Sequence, residues 1–292
     1  MNKKAGGGIT MMIRRRCLPA GWYPQREDQI TGFLAGIPKN TRPQAALAAV
    51  APHAGWFYAG TIAAASVAAL DPEADTVVVI GGHVPAGMPP LFAEEDGVST
   101  PLGDIEFDGE FRDGLQKELT CSFGADRYQD NTVEILVPMV RYFIPHARVL
   151  WLRLPAEITS FETGKQIGRI GNALGRNVAV LGSTDLTHYG DNYDFSPQGR
   201  GKKALDWVRD VNDRSFIHAV EEGNPEQVLE KAREDKSACS VGAVLGVMGF
   251  AQSQGTGTAE LLRYGTSVDA GDPGGELPAS FVGYAALAWY KL

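Results

Sequence analysis

A run of apolar, largely β-branched residues, T-V-V-V-I-G-G-H at 76–83, constrains the fold of this chain most. Apolar side chains occupy consecutive positions and the run ends in glycines, a pattern typical of a strand buried on both faces of a parallel sheet. The runs at 147–155 (A-R-V-L-W-L-R-L-P) and 177–190 (N-V-A-V-L-G-S-T-D-L-T-H-Y-G) predict further strands, the second followed by a polar loop, and A-A-L-A-A-V at 45–50 fits a strand of small residues.

Helical patterns separate these strands. Helices are predicted at 60–70, 108–119, 133–144, 158–174, 202–221, 225–234 and 238–252. Pro138 is predicted to kink its helix or to lie in a first turn. The segments 261–267 and 280–290 are strand-like. Strands alternating with helices predict a single α/β domain over 13–292, with a mostly parallel or mixed central sheet, helices on both faces and room for an antiparallel C-terminal edge. Residues 1–12 are expected to form a disordered leader.

Composition excludes several classes of function. The 292 residues carry 27 basic and 35 acidic side chains, a formal net charge of −8, which argues against a general nucleic-acid binder. The three cysteines are far apart in the sequence, which disfavours a disulfide framework and favours a reducing cytoplasm. No apolar run approaches the length of a membrane helix. No phosphate-binding glycine motif occurs in a strand–turn–helix context, and the G-x-S-x-G motif is absent.

Polar residues follow three of the predicted strands. His53 follows the first, His83 ends the second, and Asp185 and His188 follow V-A-V-L-G. Ligands of open α/β sheets bind beyond the carboxyl ends of the strands, so these side chains are candidates for one site. Each histidine taken singly also fits a solvent contact or a local cap. His146 and His218 lack this context and are expected to be structural or surface residues.

Cys239 is a further candidate. D-K-S-A-C-S at 235–240 is predicted to open the apolar helix, with Asp235 or Ser237 as its cap. A thiol in a first helical turn is stabilised as the thiolate, which attacks electrophiles and binds metals. A buried small hydrophobe is the alternative, and local sequence alone favours it.

Several motifs together resemble the Memo family, whose bacterial and archaeal members are called AmmeMemoRadiSam system protein B. They are A-G-W-Y-P (20–24), A-P-H-A-G-W-F-Y-A-G (51–60), G-G-H-V-P (81–85), S-T-D-L-T-H-Y-G (183–190), D-K-S-A-C-S (235–240) and L-L-R-Y-G-T-S (261–267). The resemblance implies a fold similar to the catalytic subunit of class III extradiol dioxygenases, which use non-haem Fe(II).

By position, the resemblance implies that His53 and His83 are metal ligands and that Cys239 stands where the dioxygenases have a ligand carboxylate. His188 matches their acid/base histidine, and Asp185 is the acidic residue of the same motif. Asp185 either orients His188 or caps the loop. The chain departs from the family at 130–134, where it reads D-N-T-V-E instead of E-H-S-x-E. Asn131 thus replaces a histidine.

Two histidines and one anionic ligand leave open positions for substrate and O2, as in non-haem iron oxygenases. Fe(II) is therefore the first expectation, with copper or zinc as alternatives because a thiolate is a softer ligand. The expected function is that of a dioxygenase-like oxidoreductase acting on a small aromatic or phenolic substrate. A non-catalytic ligand- or phosphopeptide-binding protein and a copper or iron redox protein are the alternatives. The family name implies radical-SAM and AMMECR-type partners.

Overall fold

The computed structural model describes residues 11–38, 42, 44–119, 123–271 and 276–292. Of the predicted leader at 1–12, residues 1–10 lie outside the described residues, and Met11 and Met12 are exposed. Cys121 also lies outside them. Within the described ranges, no helix combines the length and the apolar character that crossing a bilayer demands.

The strands are β1 (Ile13–Arg14), β2 (Ala46–Ala51), β3 (Thr76–Val84), β4 (Leu91–Phe92), β5 (Gly97–Thr100), β6 (Gly103–Glu106), β7 (Gly124–Ala125), β8 (Arg148–Pro155), β9 (Val178–Ser183), β10 (His188–Gly190), β11 (Glu260–Thr266) and β12 (Ser280–Tyr290). The α-helices are α1 (Glu27–Ala35), α2 (Trp56–Ala69), α3 (Gly109–Glu118), α4 (Asn131–Glu134), α5 (Val137–Phe143), α6 (Thr159–Ala173), α7 (Lys202–Trp207), α8 (Asp213–Glu221), α9 (Pro225–Glu234) and α10 (Val241–Ser253). A π-helical segment, Val208–Asn212, joins α7 to α8, and single 3-10 turns cover Asp191–Tyr193 and Ser267–Ala270.

Among the described residues, one mixed sheet of nine strands forms the centre of the molecule. Its order is β10-β12-β2-β9-β3-β8-β4-β7, and β11 pairs with β12. β2, β9, β3 and β8 run parallel, whereas β12 pairs antiparallel to β2. The α/β class and the mixed sheet are therefore confirmed, together with the antiparallel C-terminal side. β1, β5 and β6 form a separate small sheet that the sequence patterns did not indicate.

The central strands are apolar at consecutive positions because helices cover both faces of the sheet. Val78 and Ile80 of β3 belong to the core under α6 and α10, whereas Val77 and Val79 belong to the core under α1, α2 and α5. All four side chains are fully buried. Helices on both faces therefore bury the centre of the sheet, which leaves the ends of its central strands as the place for a site.

Three local expectations change in the structure. The helix predicted at 133–144 is two helices, α4 and α5, and Pro138 lies in the first turn of α5, where its missing N–H costs nothing. The apolar helix α10 begins at Val241 with Ser240 at its N-cap position, so Cys239 precedes the helix. The prediction that Cys239 lies in the first helical turn was therefore wrong. Asp235 instead lies at the C-cap position of α9.

Candidate metal site

The candidate site lies where β2, β9 and β3 end side by side. These strands are neighbours in the sheet and run parallel, so their carboxyl ends meet at one edge. His53 follows β2 by two residues, Asp185 follows β9 by two, and His83 is the penultimate residue of β3. The segment before α10 brings Cys239 to the same edge, where its backbone N–H donates a hydrogen bond to the Asp185 carbonyl at 3.2 Å.

His53, His83 and Cys239 form one cluster. One ligand atom of each residue lies within 4.8 Å of the other two. Cys239 Sγ is 3.2 Å from His53 Nε2, and the two imidazole rings cross at 80° with their centroids 5.0 Å apart. His53 is buried, Cys239 is half-buried and His83 is 37% exposed, so the cluster is open to solvent on the side of His83.

His53 is held by side chains at the end of β9 and just beyond it. Its Nδ1 is 2.7 Å from Ser183 Oγ, which leaves Nε2 directed toward Cys239. The carboxylate of Asp185 accepts hydrogen bonds through Oδ1 from the backbone N–H groups of His53 at 2.8 Å and Ala54 at 3.2 Å. Asp185 therefore fixes the loop that carries His53. Among the hydrogen bonds of the described residues, none joins Asp185 to His188.

His83 sits in a β-bulge. The register of β3 against β8 shifts between Gly81 and Val84, and His83 has a φ of +55°, in the left-handed region. Its Nδ1 donates to Asp130 Oδ2 at 3.0 Å, because a carboxylate only accepts. The other ring nitrogen, Nε2, is thus free to bind a ligand, the arrangement that outer carboxylates impose on metal-binding histidines.

The cluster is electrostatically polarised. Burial acts to raise the pKa of the Cys239 thiol, but His53 and His83 outweigh burial and hold this pKa well below its usual value. Burial likewise acts to lower the pKa of His83, yet Asp130 and Cys239 raise it to about 10. The pKa of His53 is raised by Cys239 and Asp185 against the effect of burial. In the metal-free protein, Cys239 and the two imidazoles therefore favour one another's charged forms.

His188 lines a cleft beside the cluster and is not a member of the cluster. Its Nδ1 donates to the Leu186 carbonyl at 3.1 Å, which leaves Nε2 as a proton acceptor. Its ring stands edge-on to Tyr193, with centroids 4.8 Å apart. The ring nitrogen of His188 that is left for a molecule in the cleft is therefore Nε2.

A cleft of about 600 Å³ adjoins the cluster. Aromatic side chains form much of its wall, namely Trp22, Tyr58, Tyr193, Phe281 and Tyr284. Trp56 and Tyr189, which belong to the motifs at 51–60 and 183–190, are buried in the core instead. Among the described residues that line the cleft there is no lysine or arginine.

Asn131 and Glu134 lie on the short helix α4 beside the cleft. Asn131 lines the cleft and its Nδ2 donates to the His53 carbonyl at 2.9 Å. Glu134 is buried and accepts from the backbone N–H groups of Cys17 and Leu18 and from the hydroxyl of Tyr23. Glu134 therefore fixes the segment whose Ala20, Gly21 and Trp22 line the cleft.

The remaining histidines lie outside the site. His146 and His218 are both exposed, and His218 pairs with Glu222 one helical turn away. Sequence reasoning missed Ser183 and Asp130, which contact the Nδ1 atoms of the two cluster histidines. Ser183 is the first residue of the motif at 183–190, and Asp130 is the first residue of the altered stretch D-N-T-V-E. Neither pattern indicated that the residue contacts a histidine.

Comparison with known proteins agrees with the resemblance in the motifs. A family model described as Memo-like protein matches residues 14–288. A MEMO1 family protein of Methanococcoides burtonii is 31% identical over 245 residues, covering 82% of this chain and 85% of the relative. A MEMO1 family protein of Methanosarcina barkeri is 29% identical over 281 residues, covering 94% and 99%.

Among solved structures, an uncharacterized protein from Escherichia coli K12 aligns with 82% of this chain and 98% of its own. The TM-score is 0.46 and the sequence identity is 10%, a likeness too weak to support a conclusion. The family assignment depends on the family model and on the relatives, which span nearly the whole chain. This chain belongs to the Memo-like protein family.

Proposed function

We propose that His53, His83 and Cys239 bind one metal ion and that the protein is a metal-dependent oxidoreductase of the non-haem dioxygenase type. The observation that carries the proposal is the convergence of two imidazoles and one cysteine sulfur from three separate chain segments. In both histidines Nδ1 has an outer partner, Ser183 or Asp130, so that Nε2 of each is left for the ion.

The donor set fits a metal ion. A sulfur at about 2.3 Å and a nitrogen at about 2.1 Å from one ion lie about 3.1 Å apart at a right angle and about 3.6 Å apart at the tetrahedral angle. The distance of 3.2 Å between Cys239 Sγ and His53 Nε2 falls in this range. Fe(II) is the first candidate, because two imidazoles and one anion leave open positions, and the thiolate makes zinc or copper the alternatives.

When bound, Fe(II) would supply the redox chemistry that oxidation of an aromatic ring requires. The protein's own residues would prepare the substrate. His188 would take the proton of a phenolic hydroxyl at Nε2, because Nδ1 is occupied by the Leu186 carbonyl. The aromatic wall that includes Tyr58 and Tyr193 would hold a planar ring, and Asp185 would keep the His53 loop in place.

A small aromatic or phenolic substrate suits the cleft better than a phosphopeptide does. Phosphate recognition generally uses arginine or lysine, and the described residues lining the cleft include neither. A copper or iron redox protein is the second candidate, favoured by the thiolate of the half-buried Cys239. Thiol titration with and without copper tests that candidate. Radical-SAM and AMMECR-type partners stay a prediction.

Metal analysis of two variants tests the proposal. After anaerobic loading with Fe(II), the parent should retain about one ion, and Cys239→Ala should lose it because one of three ligands is gone. His188→Ala should keep the ion and lose turnover of a phenolic substrate by roughly 10²–10⁴-fold. Cys17→Ala, which removes an exposed thiol outside the cluster, is the control and should keep both.

Retention of the ion by Cys239→Ala, together with its loss in His188→Ala, would contradict the assigned roles. Absence of metal in the parent after loading, with unchanged folding of all variants, would instead support a binding protein without a metal.

A further inference from the structure

We propose that Arg153 is a positioning residue that holds His83 in the orientation in which it contributes to the cluster. Arg153 lies near the carboxyl end of β8, in register with Gly81 of β3, and is only 4% exposed. Its significance for metal binding rests on the proposed function, but its effect on His83 is independent of any ion.

The guanidinium group contacts both the backbone and the side-chain partner of His83. Nε donates to the Gly82 carbonyl at 2.9 Å and Nη2 to the His83 carbonyl at 3.4 Å. Nη2 is also 3.2 Å from Asp130 Oδ2, the same oxygen that accepts from His83 Nδ1. One side chain thus holds the main chain of His83 and the carboxylate that orients its ring.

The backbone at His83 needs such a contact because it is irregular. The two residues Gly82 and His83 stand opposite the single residue Leu154, so the regular ladder between β3 and β8 is interrupted there. Arg153 supplies hydrogen bonds to the carbonyls of both bulged residues. A Cβ on Gly82 would overlap the side chain of Ser240, so the bulge also brings β3 against the residue next to Cys239.

Arg153 is itself held by a buried carboxylate, that of Asp126. Nη1 donates to Asp126 Oδ1 at 3.1 Å, and Asp126 Oδ2 accepts from the indole N–H of Trp151 at 2.8 Å. Asp126 and Trp151 are both about 1% exposed. The guanidinium therefore reaches four acceptors at once, which requires its planar fork of donors; an ammonium group on lysine could not span them.

Arg14 offers a matched control. It is also buried, at 7% exposure, and belongs to the same group of side chains: its guanidinium lies over the Trp151 ring and donates to the Asp126 carbonyl at 2.6 Å. It makes no hydrogen bond to Gly82, His83 or the Asp130 carboxylate among those of the described residues. Arg14→Met thus removes a buried arginine without removing the contacts that hold His83.

The experiment compares Arg153→Met, Arg153→Lys and Arg14→Met with the parent in two measurements. In the metal-free protein, NMR detects the ring proton on His83 Nδ1 that the Asp130 hydrogen bond protects from exchange, assigned by its loss in His83→Gln. Zn(II) affinity is then measured by competition with a chelating dye. Arg153→Met should lose the NMR signal and bind Zn(II) about 10–100-fold more weakly. Arg153→Lys should show the same direction of change, and Arg14→Met should match the parent in both.

An unchanged ring-proton signal in folded Arg153→Met overturns the proposal, and so does an equal loss in Arg14→Met. If Arg153→Met does not fold, Arg153→Lys decides in the same way. If the parent binds no Zn(II) and no iron, the proposed metal function fails, while the NMR comparison still decides whether Arg153 positions His83.

Discussion

Asp213 makes the stability of this protein depend on pH in a predictable direction. It begins α8, is completely buried, and accepts hydrogen bonds from the Thr187 backbone N–H at 3.0 Å, the Thr187 hydroxyl and the Tyr264 hydroxyl at 2.8 Å. Burial raises its pKa to about 7, more than these hydrogen bonds lower it. Thr187 lies between Asp185 and His188, so Asp213 supports the loop that carries both.

The magnitude follows from the two pKa values. An unfolded aspartate has a pKa of about 3.9, so a folded value of about 7 corresponds to about 4 kcal/mol at 1.36 kcal/mol for each pH unit. Between about pH 4 and pH 7 the unfolded chain has released this proton while the folded protein keeps it. The contribution of Asp213 to the free energy of unfolding is therefore fully present below about pH 4, falls as the pH rises, and is lost above about pH 7.

Asp213→Asn removes this dependence because the amide stays neutral at every pH. The free energy of unfolding of the variant minus that of the parent should rise by about 4 kcal/mol from pH 4 to pH 8, measured by urea denaturation. Asp108→Asn is the control: Asp108 is equally buried, but guanidinium nitrogens of Arg148 and Arg176 lie within 4 Å of it. That variant should lose stability at neutral pH, because it removes a buried ion pair partner.

If the difference in free energy of unfolding between Asp213→Asn and the parent stays constant from pH 4 to pH 8, the burial argument is refuted. The variant should also retain metal like the parent, because Asp213 makes no hydrogen bond to the cluster among those of the described residues. Loss of metal in a folded Asp213→Asn would show that the support of the loop extends to the ligands.

Two further predictions concern the segments around the cleft. Glu134→Ala leaves the donors of Cys17, Leu18 and Tyr23 without their acceptor, and Leu18 and Tyr23 are buried, so the free energy of unfolding should fall by about 2–4 kcal/mol. Amide hydrogen exchange at Cys17 and Leu18 should also accelerate, and equal protection in both proteins would contradict the assignment. In the metal-free protein, alkylation of Cys239 should reach its plateau at a lower pH than alkylation of Cys17. The reason is that burial and Glu134 raise the pKa of Cys17, whereas the two histidines outweigh burial and lower that of Cys239. Peptide mapping of the alkylated protein separates the two thiols, and coincident pH profiles would contradict the expected polarisation.

The central strands could be predicted from sequence because their physical signal is local. The strand predicted at 280–290 has the observed bounds, and those at 76–83 and 147–155 differ by one residue at an end. Strands buried on both faces need apolar residues at consecutive positions, and this pattern is visible without knowing the neighbours of a strand. The small sheet of β1, β5 and β6 was not predicted because its strands have two to four residues each, too few to show a periodic pattern of apolar residues.

The helix ends were less predictable. Cys239 was expected within the first turn of α10, but the helix begins two residues later, at Val241. The low pKa of Cys239 therefore comes from the imidazoles of His53 and His83, which approach it from other segments. No local pattern around residue 239 contains that information.

Sequence indicates the candidate ligands on two grounds. Strand ends and the family motifs both indicate His53 and His83, whereas for Cys239 only the family resemblance implies a ligand, because local sequence favours a buried small hydrophobe. The tertiary structure decided which nitrogen of each imidazole is available, because Ser183 and Asp130 occupy the Nδ1 atoms from 130 and 47 residues away in the chain. The tertiary structure likewise decided that Asp185 holds the loop carrying His53, and that Arg153 of β8 contacts the bulge of β3. These are contacts between distant segments, and only packing of the sheet and its helices brings such segments together.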